Sequence, residues 1–337
     1  MYATTQKLLH KLPPETAHDL AIFGLRLLGA LPGSIRPYRA AKRSLFGCDF
    51  ANPIGLAAGL DKDAKAVAGL ARLGFGFIEV GTVTPRPQAG NPQPRLFRLP
   101  EHQALINRMG FNNQGISAMV NRLDKLRARD QLAGTIIGVN LGKNKDTPLQ
   151  HAAQDYIKGM QQLHSLADYF TLNLSSPNTP GLRQLQHGND LSVLLDQVKE
   201  TQQRLAISAS PTPLLLKVAP DLNDEDIDQI AEQVAKHELQ GLIATNTTLG
   251  RDAVLGHPLS SQTGGLSGAP LTQLSKTVVR KFRERLPAGM PIIGVGGIGC
   301  AAEAQDLLDA GADLLQIYSA FIYKGSKLVQ ELVRSTK

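Results

Sequence analysis

Residues 213–246 read PLLLKVAPDLNDEDIDQIAEQVAKHELQGLIATN. An apolar run at 214–218 leads through a polar turn into an amphipathic stretch at 224–237, and a second apolar run follows at 242–245. Asn223 stands just ahead of the acidic residues Asp224, Glu225 and Asp226. That is the pattern of a helix N-cap followed by carboxylates that favour the positive end of the helix dipole. The apolar runs are short and continuous, as expected of strands buried on both faces. The stretch reads as strand, helix, strand.

The same unit recurs on both sides. Apolar runs occur at 54–58, 77–80, 136–140, 169–173, 214–218, 242–245, 292–295 and 314–317. Helix-like stretches at 63–73, 151–166, 191–205, 224–237, 271–285 and 301–310 follow most of them. Eight repeats predict an α/β fold of the (β/α)8 TIM-barrel class, with a doubly wound sheet as the alternative. A chain of 337 residues suits one barrel with an appendage, since such barrels run to about 250 residues. Two connections are long: 81–114, with five prolines, and 245–269, with a Gly-rich end. Both are expected at the C-terminal face of the barrel, where active sites of this fold sit.

The first 45 residues stand outside the repeat. The predicted division is a helical extension at 1–45 and the barrel at 46–337. Two helices are expected, over 4–11 and 14–30, separated by Pro13 and Pro14. The second is apolar on most faces, with Leu20, Ala21, Ile22, Phe23, Leu25, Leu27 and Leu28. Such a helix must be covered by protein or lipid. It is too short to span a bilayer, which takes about 20 apolar residues. The segment also carries seven basic residues (Lys7, Lys11, Arg26, Arg36, Arg39, Lys42, Arg43) against Glu15 and Asp19. That combination fits helices lying on an anionic membrane surface; a plain cap on one end of the barrel is the alternative.

The formal net charge of +7 is scattered, with no Lys/Arg block, and no nucleic-acid motif is present. Cys48 and Cys300 form no Cys-x-x-Cys pair, which argues against a zinc ribbon or a disulfide framework.

Five segments carry chemistry. Asn173-Leu174-Ser175-Ser176-Pro177-Asn178-Thr179-Pro180-Gly181 follows the fourth apolar run and packs amides and hydroxyls into a stretch stiffened by two prolines. It suits a small polar ligand, and an ordinary capped turn is the competing reading. Ala57-Ala58-Gly59-Leu60-Asp61-Lys62 ends the first run with small residues, which let a flat ring approach the backbone, and a lysine. Asn107-Arg108-Met109-Gly110-Phe111-Asn112-Asn113 lies in the long second connection. Thr82, Asn140, Lys217, Thr245, Asn246 and Thr247 are polar residues at run ends. A lysine there needs a partner, either a ligand or a carboxylate across the barrel. Lastly, the glycines ending at Gly268, those ending at Gly297, and Tyr318-Ser319 occupy the positions at which barrels bind phosphate.

From about Phe50 onward these motifs resemble the dihydroorotate dehydrogenases, in particular the quinone-linked class. The resemblance implies a bound FMN, a dihydroorotate or orotate site, and a membrane quinone, ubiquinone or menaquinone, as electron acceptor in pyrimidine biosynthesis. It makes Ser176 the catalytic base. The soluble class uses a cysteine instead, and no cysteine lies between Cys48 and Cys300. It assigns the flavin to Ala58, Gly59, Leu60, Asp61, Lys62, Thr82, Asn140, Asn173, Lys217, Thr245, Gly268, Gly297, Tyr318 and Ser319. It assigns the substrate to Lys62, Asn107, Arg108, Met109, Gly110, Phe111, Asn173, Asn178, Asn246 and Thr247. Arg98 and Tyr318 are expected near the quinone, under the N-terminal helices. No metal is expected, and the implied location is the cytoplasmic face of the membrane, as a peripheral protein. Two other readings remain at this point: a phosphosugar barrel with Lys217 as a Schiff-base nucleophile, and a non-enzymatic membrane-surface protein.

Overall fold

The computed structural model describes residues 9, 11–33, 35, 38–129, 132, 134–206 and 211–336. The helix expected over 4–11 lies almost wholly outside them. The chain begins with helix α1 (Pro14–Ala30) and a hairpin of β1 (Arg43–Leu45) and β2 (Cys48–Phe50). Next come β3 (Ile54–Leu56), α2 (Val67–Ala71), β4 (Phe77–Val83), β5 (Leu96–Leu99), β6 (Ala104–Asn107) and α3 (Ile116–Arg127). The middle holds β7 (Ile136–Leu141), α4 (Ala152–Leu163), β8 (Tyr169–Asn173), α5 (Gly188–Leu205), β9 (Leu214–Val218) and α6 (Asp224–Lys236). The last part holds β10 (Gly241–Ala244), β11 (Gly265–Gly268), α7 (Thr272–Arg285), β12 (Ile292–Val295), α8 (Ala301–Asp309), β13 (Leu314–Ile317), α9 (Ser319–Lys324) and α10 (Ser326–Ser335).

Strands β3, β4, β7, β8, β9, β10, β12 and β13 close in that order into a parallel barrel. All eight expected runs are therefore barrel strands, and the doubly wound alternative falls away. The decisive stretch behaves as read. Asn223 Oδ1 accepts from Asp226 N at 2.8 Å while the Asp226 carboxylate accepts from Asn223 N at 3.2 Å, a reciprocal cap. Ile227, Ile230, Ala231 and Val234 then turn one face of α6 into the core.

Side chains alternate between the two faces of each strand, so the barrel interior is built in layers. The lower layer is apolar: Phe77, Tyr169, Leu215, Ile243, Ile293 and Leu314 pack with Phe50 from the hairpin. Gly138 makes room there, since a Cβ at that position would lie 2.1 Å from the Tyr169 ring. Two residues further along the strands, the layer is polar: Glu79, Asn140, Thr171, Lys217 and Gln316, all buried. The hairpin plugs the N-terminal end, with Phe50 5.3 Å from Phe77 and Phe46 5.7 Å from Tyr169, centroid to centroid. The boundary expected at 45/46 falls between its two strands.

The two long connections meet over the opposite end. There β5, β6 and β11 form a three-stranded antiparallel sheet that pairs Asn107 with Gly265 and Ala104 with Gly268. Helix α1 lies against α2 at very short range. A Cβ on Gly69 would stand 1.9 Å from Leu25 O, and one on Gly29 2.7 Å from Gly69 N. Ile22 faces inward, whereas Leu20, Phe23, Leu27 and Leu31 form a stripe 49–56% exposed.

Candidate active site

A cavity of about 430 Å³ opens at the C-terminal end of the barrel, beneath the antiparallel cover. Its walls come from strand ends, from the loops after β8 and β10, from the glycines around 296–297, and from α1, which contributes Glu15, His18 and Ile22. One end is lined by amides and hydroxyls; the other reaches the underside of α1.

At the polar end, Ser176 is buried, and its Oγ accepts from Asn178 N at 3.2 Å. Asn178 Nδ2 donates to Asn107 Oδ1 at 3.3 Å, and Asn107 Nδ2 donates to Gly265 O at 3.5 Å. Asn173 Oδ1 accepts from Ser175 Oγ at 3.1 Å and from Asn246 Nδ2 at 3.4 Å. Asn246 Oδ1 in turn accepts from Thr247 N at 2.8 Å. Three loops, after β6, β8 and β10, are thus cross-linked through asparagine side chains.

Below lies the polar layer. Glu79 accepts from Asn140 Nδ2 at 2.7 Å, Tyr169 OH at 3.1 Å and Gln316 Nε2 at 2.8 Å. Lys217 Nζ stands 3.9 Å from the same carboxylate. The carboxylate expected across the barrel therefore exists, and Lys217 still lines the cavity. Burial pulls the Lys217 ammonium below the usual lysine range, and Glu79 opposes that shift. Asn140 Oδ1 accepts from Thr82 Oγ1 at 2.6 Å and from Asn173 Nδ2 at 3.0 Å, which joins this layer to the loops above.

Lys62 follows Asp61, whose buried carboxylate accepts from the backbone N–H groups of Lys65 and Ala66 at 2.7 Å each. This turn starts α2 later than expected and aims Lys62 into the cavity. Burial lowers Lys62 to about 8, partly offset by Asp63. Burial, reinforced by Lys62 and Lys65, lowers His18 to about 3, so its imidazole is neutral. Burial raises the Tyr318 phenol to about 12.

Of the residues singled out from the sequence, nearly all line this one cavity. Two of the flavin and substrate residues do not. Asn140 is fully buried beneath it and acts through Thr82 and Asn173. Arg108 turns outward: its guanidinium donates to Gln262 Oε1, Thr263 O and Pro94 O, and stacks 4.7 Å from the Phe97 ring. Of the two residues expected near the quinone, Tyr318 lines the cavity. Arg98 lines an adjoining open groove with Pro14, Phe97 and Leu259, and donates to the carbonyls of Leu9 and Leu12.

The residues fit a flat, phosphorylated ring system. Thr247 Oγ1, Asn112 Oδ1 and Gln316 Oε1 are buried, line the cavity and have no partner among the described residues. Gly297 holds φ 73°, and a Cβ there would meet Thr272 at 2.3 Å, so its backbone can face the cavity only without a side chain. Gly268, Gly296 and Ser319 line the same corner. Among the described residues, no His, Cys, Asp and Glu cluster could hold a metal ion.

Sequence reasoning missed His18 and Gln316, which line the cavity, and Glu79 beneath it. Glu79 carried a signal, being a lone carboxylate within the apolar run 77–80.

Known proteins resemble this chain over its whole length. A family model described as dihydroorotate dehydrogenase matches residues 40–337. A Stenotrophomonas maltophilia protein named dihydroorotate dehydrogenase (quinone) is 48% identical, with 100% of this chain and 96% of the relative covered. A Paraburkholderia phymatum protein of the same name is 49% identical, with 99% and 97% covered. Among solved structures, the DHODH of Eimeria tenella in complex with ferulenol superposes with a TM-score of 0.89 at 37% identity, covering 96% of this chain and 90% of the other.

Proposed function

Because the chain belongs to the dihydroorotate dehydrogenase family, we propose that it oxidises (S)-dihydroorotate to orotate and delivers the electrons through bound FMN to a membrane quinone. The observation that carries this reading is a single cavity with Ser176 and four asparagines at one end and α1 at the other. Such a shape suits two half-reactions on opposite sides of one flavin. A Schiff-base role for Lys217 finds no support, because its ammonium already faces Glu79.

The geometry supports the following roles. Ser176 Oγ takes the C5 proton of dihydroorotate as its own hydroxyl proton passes to solvent, and the N–H of Asn178 that already donates to this oxygen favours the alkoxide character that makes it a base. Asn107, Asn173, Asn178, Asn246 and Thr247 hold the pyrimidine, and Lys62 attracts its carboxylate. Bound FMN supplies the acceptor for the C6 hydride. Ala58, Gly59, Leu60, Asp61, Lys62, Thr82, Thr245 and Lys217 would flank its ring, and Gly268, Gly297, Tyr318 and Ser319 its phosphate side. Lys217 would offset negative charge on the reduced ring.

No helix among the described residues is long and apolar enough to cross a membrane. The exposed stripe on α1 supports a peripheral attachment at the cytoplasmic face, with residues 1–45 as the membrane and quinone extension and 46–337 as the catalytic barrel. The test is a spectrum of the purified protein. A flavin band should be present, bleach when dihydroorotate is added, and return when a quinone is added. The released cofactor should have the mass of FMN. FAD, or no flavin at all, overturns the reading.

A further inference from the structure

Arg183 touches neither base nor ring in the proposed reaction, yet its guanidinium reaches three separate segments. Nε donates to Ser175 O at 3.0 Å, Nη2 to Thr247 O at 2.9 Å, and Nη1 to Asp221 Oδ2 at 2.8 Å. Ser175 precedes the base, and Thr247 follows Asn246 in the loop assigned to the pyrimidine. Asp221 is itself tied to the Thr247 side, since its carboxylate accepts from Thr248 Oγ1 and from Leu249 N. The site is largely screened, with the Arg183 and Asp221 side chains 20% and 27% exposed.

We propose, resting on the assignment of Ser176 as base, that Arg183 is a positioning residue. It clasps the base loop to the pyrimidine loop and fixes their separation. Only a planar guanidinium presents donors in a rigid fork to two carbonyls and a carboxylate at once. A lysine, with one nitrogen, cannot span all three. The backbone of Thr247 is then held from both sides, its N–H by Asn246 and its carbonyl by Arg183. The carbonyl of Ser175 is held beside Ser176. Proton removal depends on that geometry: a misplacement of about 1 Å costs on the order of 100-fold in rate.

The experiment compares Arg183→Gln and Arg183→Lys with the parent, as full-length flavin-loaded protein. Stopped-flow reduction of the flavin by dihydroorotate should fall by about 10- to 100-fold. Reoxidation by quinone, at the other end of the cavity, should keep its rate. Arg183→Lys, which keeps the charge but not the fork, should recover only a part. Amide hydrogen exchange should rise together in 174–182 and 246–250, an effect independent of turnover. A parental reduction rate in Arg183→Gln, or an equal loss in both half-reactions, overturns the proposal. Ser176→Ala measured alongside separates the two ideas. Loss of reduction in Ser176→Ala with a parental rate in Arg183→Gln defeats the clasp alone. A parental rate in Ser176→Ala defeats the base assignment and the clasp with it.

Discussion

At the mouth of the barrel, buried and half-buried polar side chains are hydrogen-bonded to one another across three loops. On the outer flank of α1, large apolar side chains stand half in water. Both regions break the usual partition of residues between core and surface, in opposite senses. The mouth accepts the desolvation of several amides and leaves Thr247 Oγ1 and Asn112 Oδ1 without partners among the described residues. Such a cost persists where a polar ligand completes the set. The flank accepts exposed Leu and Phe, which persists where an apolar surface covers them. Each departure points to the chemistry of a partner: a small polar molecule at one place, an apolar phase at the other.

The contrast is broken most severely at the mouth. Ser176→Ala should retain flavin yet lower the rate of flavin reduction by about 10²- to 10⁴-fold, the contribution of a general base. Ser176→Cys should keep part of the rate. Stopped-flow absorbance reads both, and an undiminished rate in Ser176→Ala would remove the base from this loop.

A smaller effect comes from pH. Lys62 lies at about 8 because burial depresses it. It is charged below that pH and neutral above it, so the affinity for orotate should be steady below pH 8. Above pH 8 it should weaken by up to about tenfold per unit. Titrating orotate against the flavin spectrum from pH 6 to pH 10 checks this. A flat profile would mean that Lys62 does not bind the carboxylate.

The smallest effect on catalysis is expected at the flank. Phe23→Glu and Leu27→Glu alter exposed positions, so each should change stability by less than about 0.5 kcal/mol. Flavin reduction should be untouched, while sedimentation with anionic liposomes should fall. Unchanged liposome binding would show that the stripe serves another surface.

Much of this was legible in the sequence. Barrel strands are buried on both faces, so each of the eight appeared as an apolar run, and Asn223 announced its helix. Element ends were less legible: Asp61 turns the chain and shortens α2 to Val67–Ala71. The cover sheet could not be read, because Asn107 meets Gly265 across 158 residues and no local pattern encodes so distant a pairing. Arg108 sits among substrate-loop residues in sequence but serves the cover instead. Arg183 looked like any charged residue of a polar loop, since what distinguishes it is three partners from three segments.

Glu79 has one more consequence. Its carboxylate oxygens accept from Asn140, Tyr169 and Gln316, so each of these neighbours must turn a donor toward it. Asn140 therefore turns its nitrogen downward and its oxygen upward, which obliges Asn173 to point its own nitrogen down at that oxygen. The Asn173 oxygen is left facing Ser175 and Asn246. The sense of the Asn140, Asn173 and Asn246 amides is thus inherited from a single acceptor at the barrel's centre, as a row of magnets takes its alignment from the first.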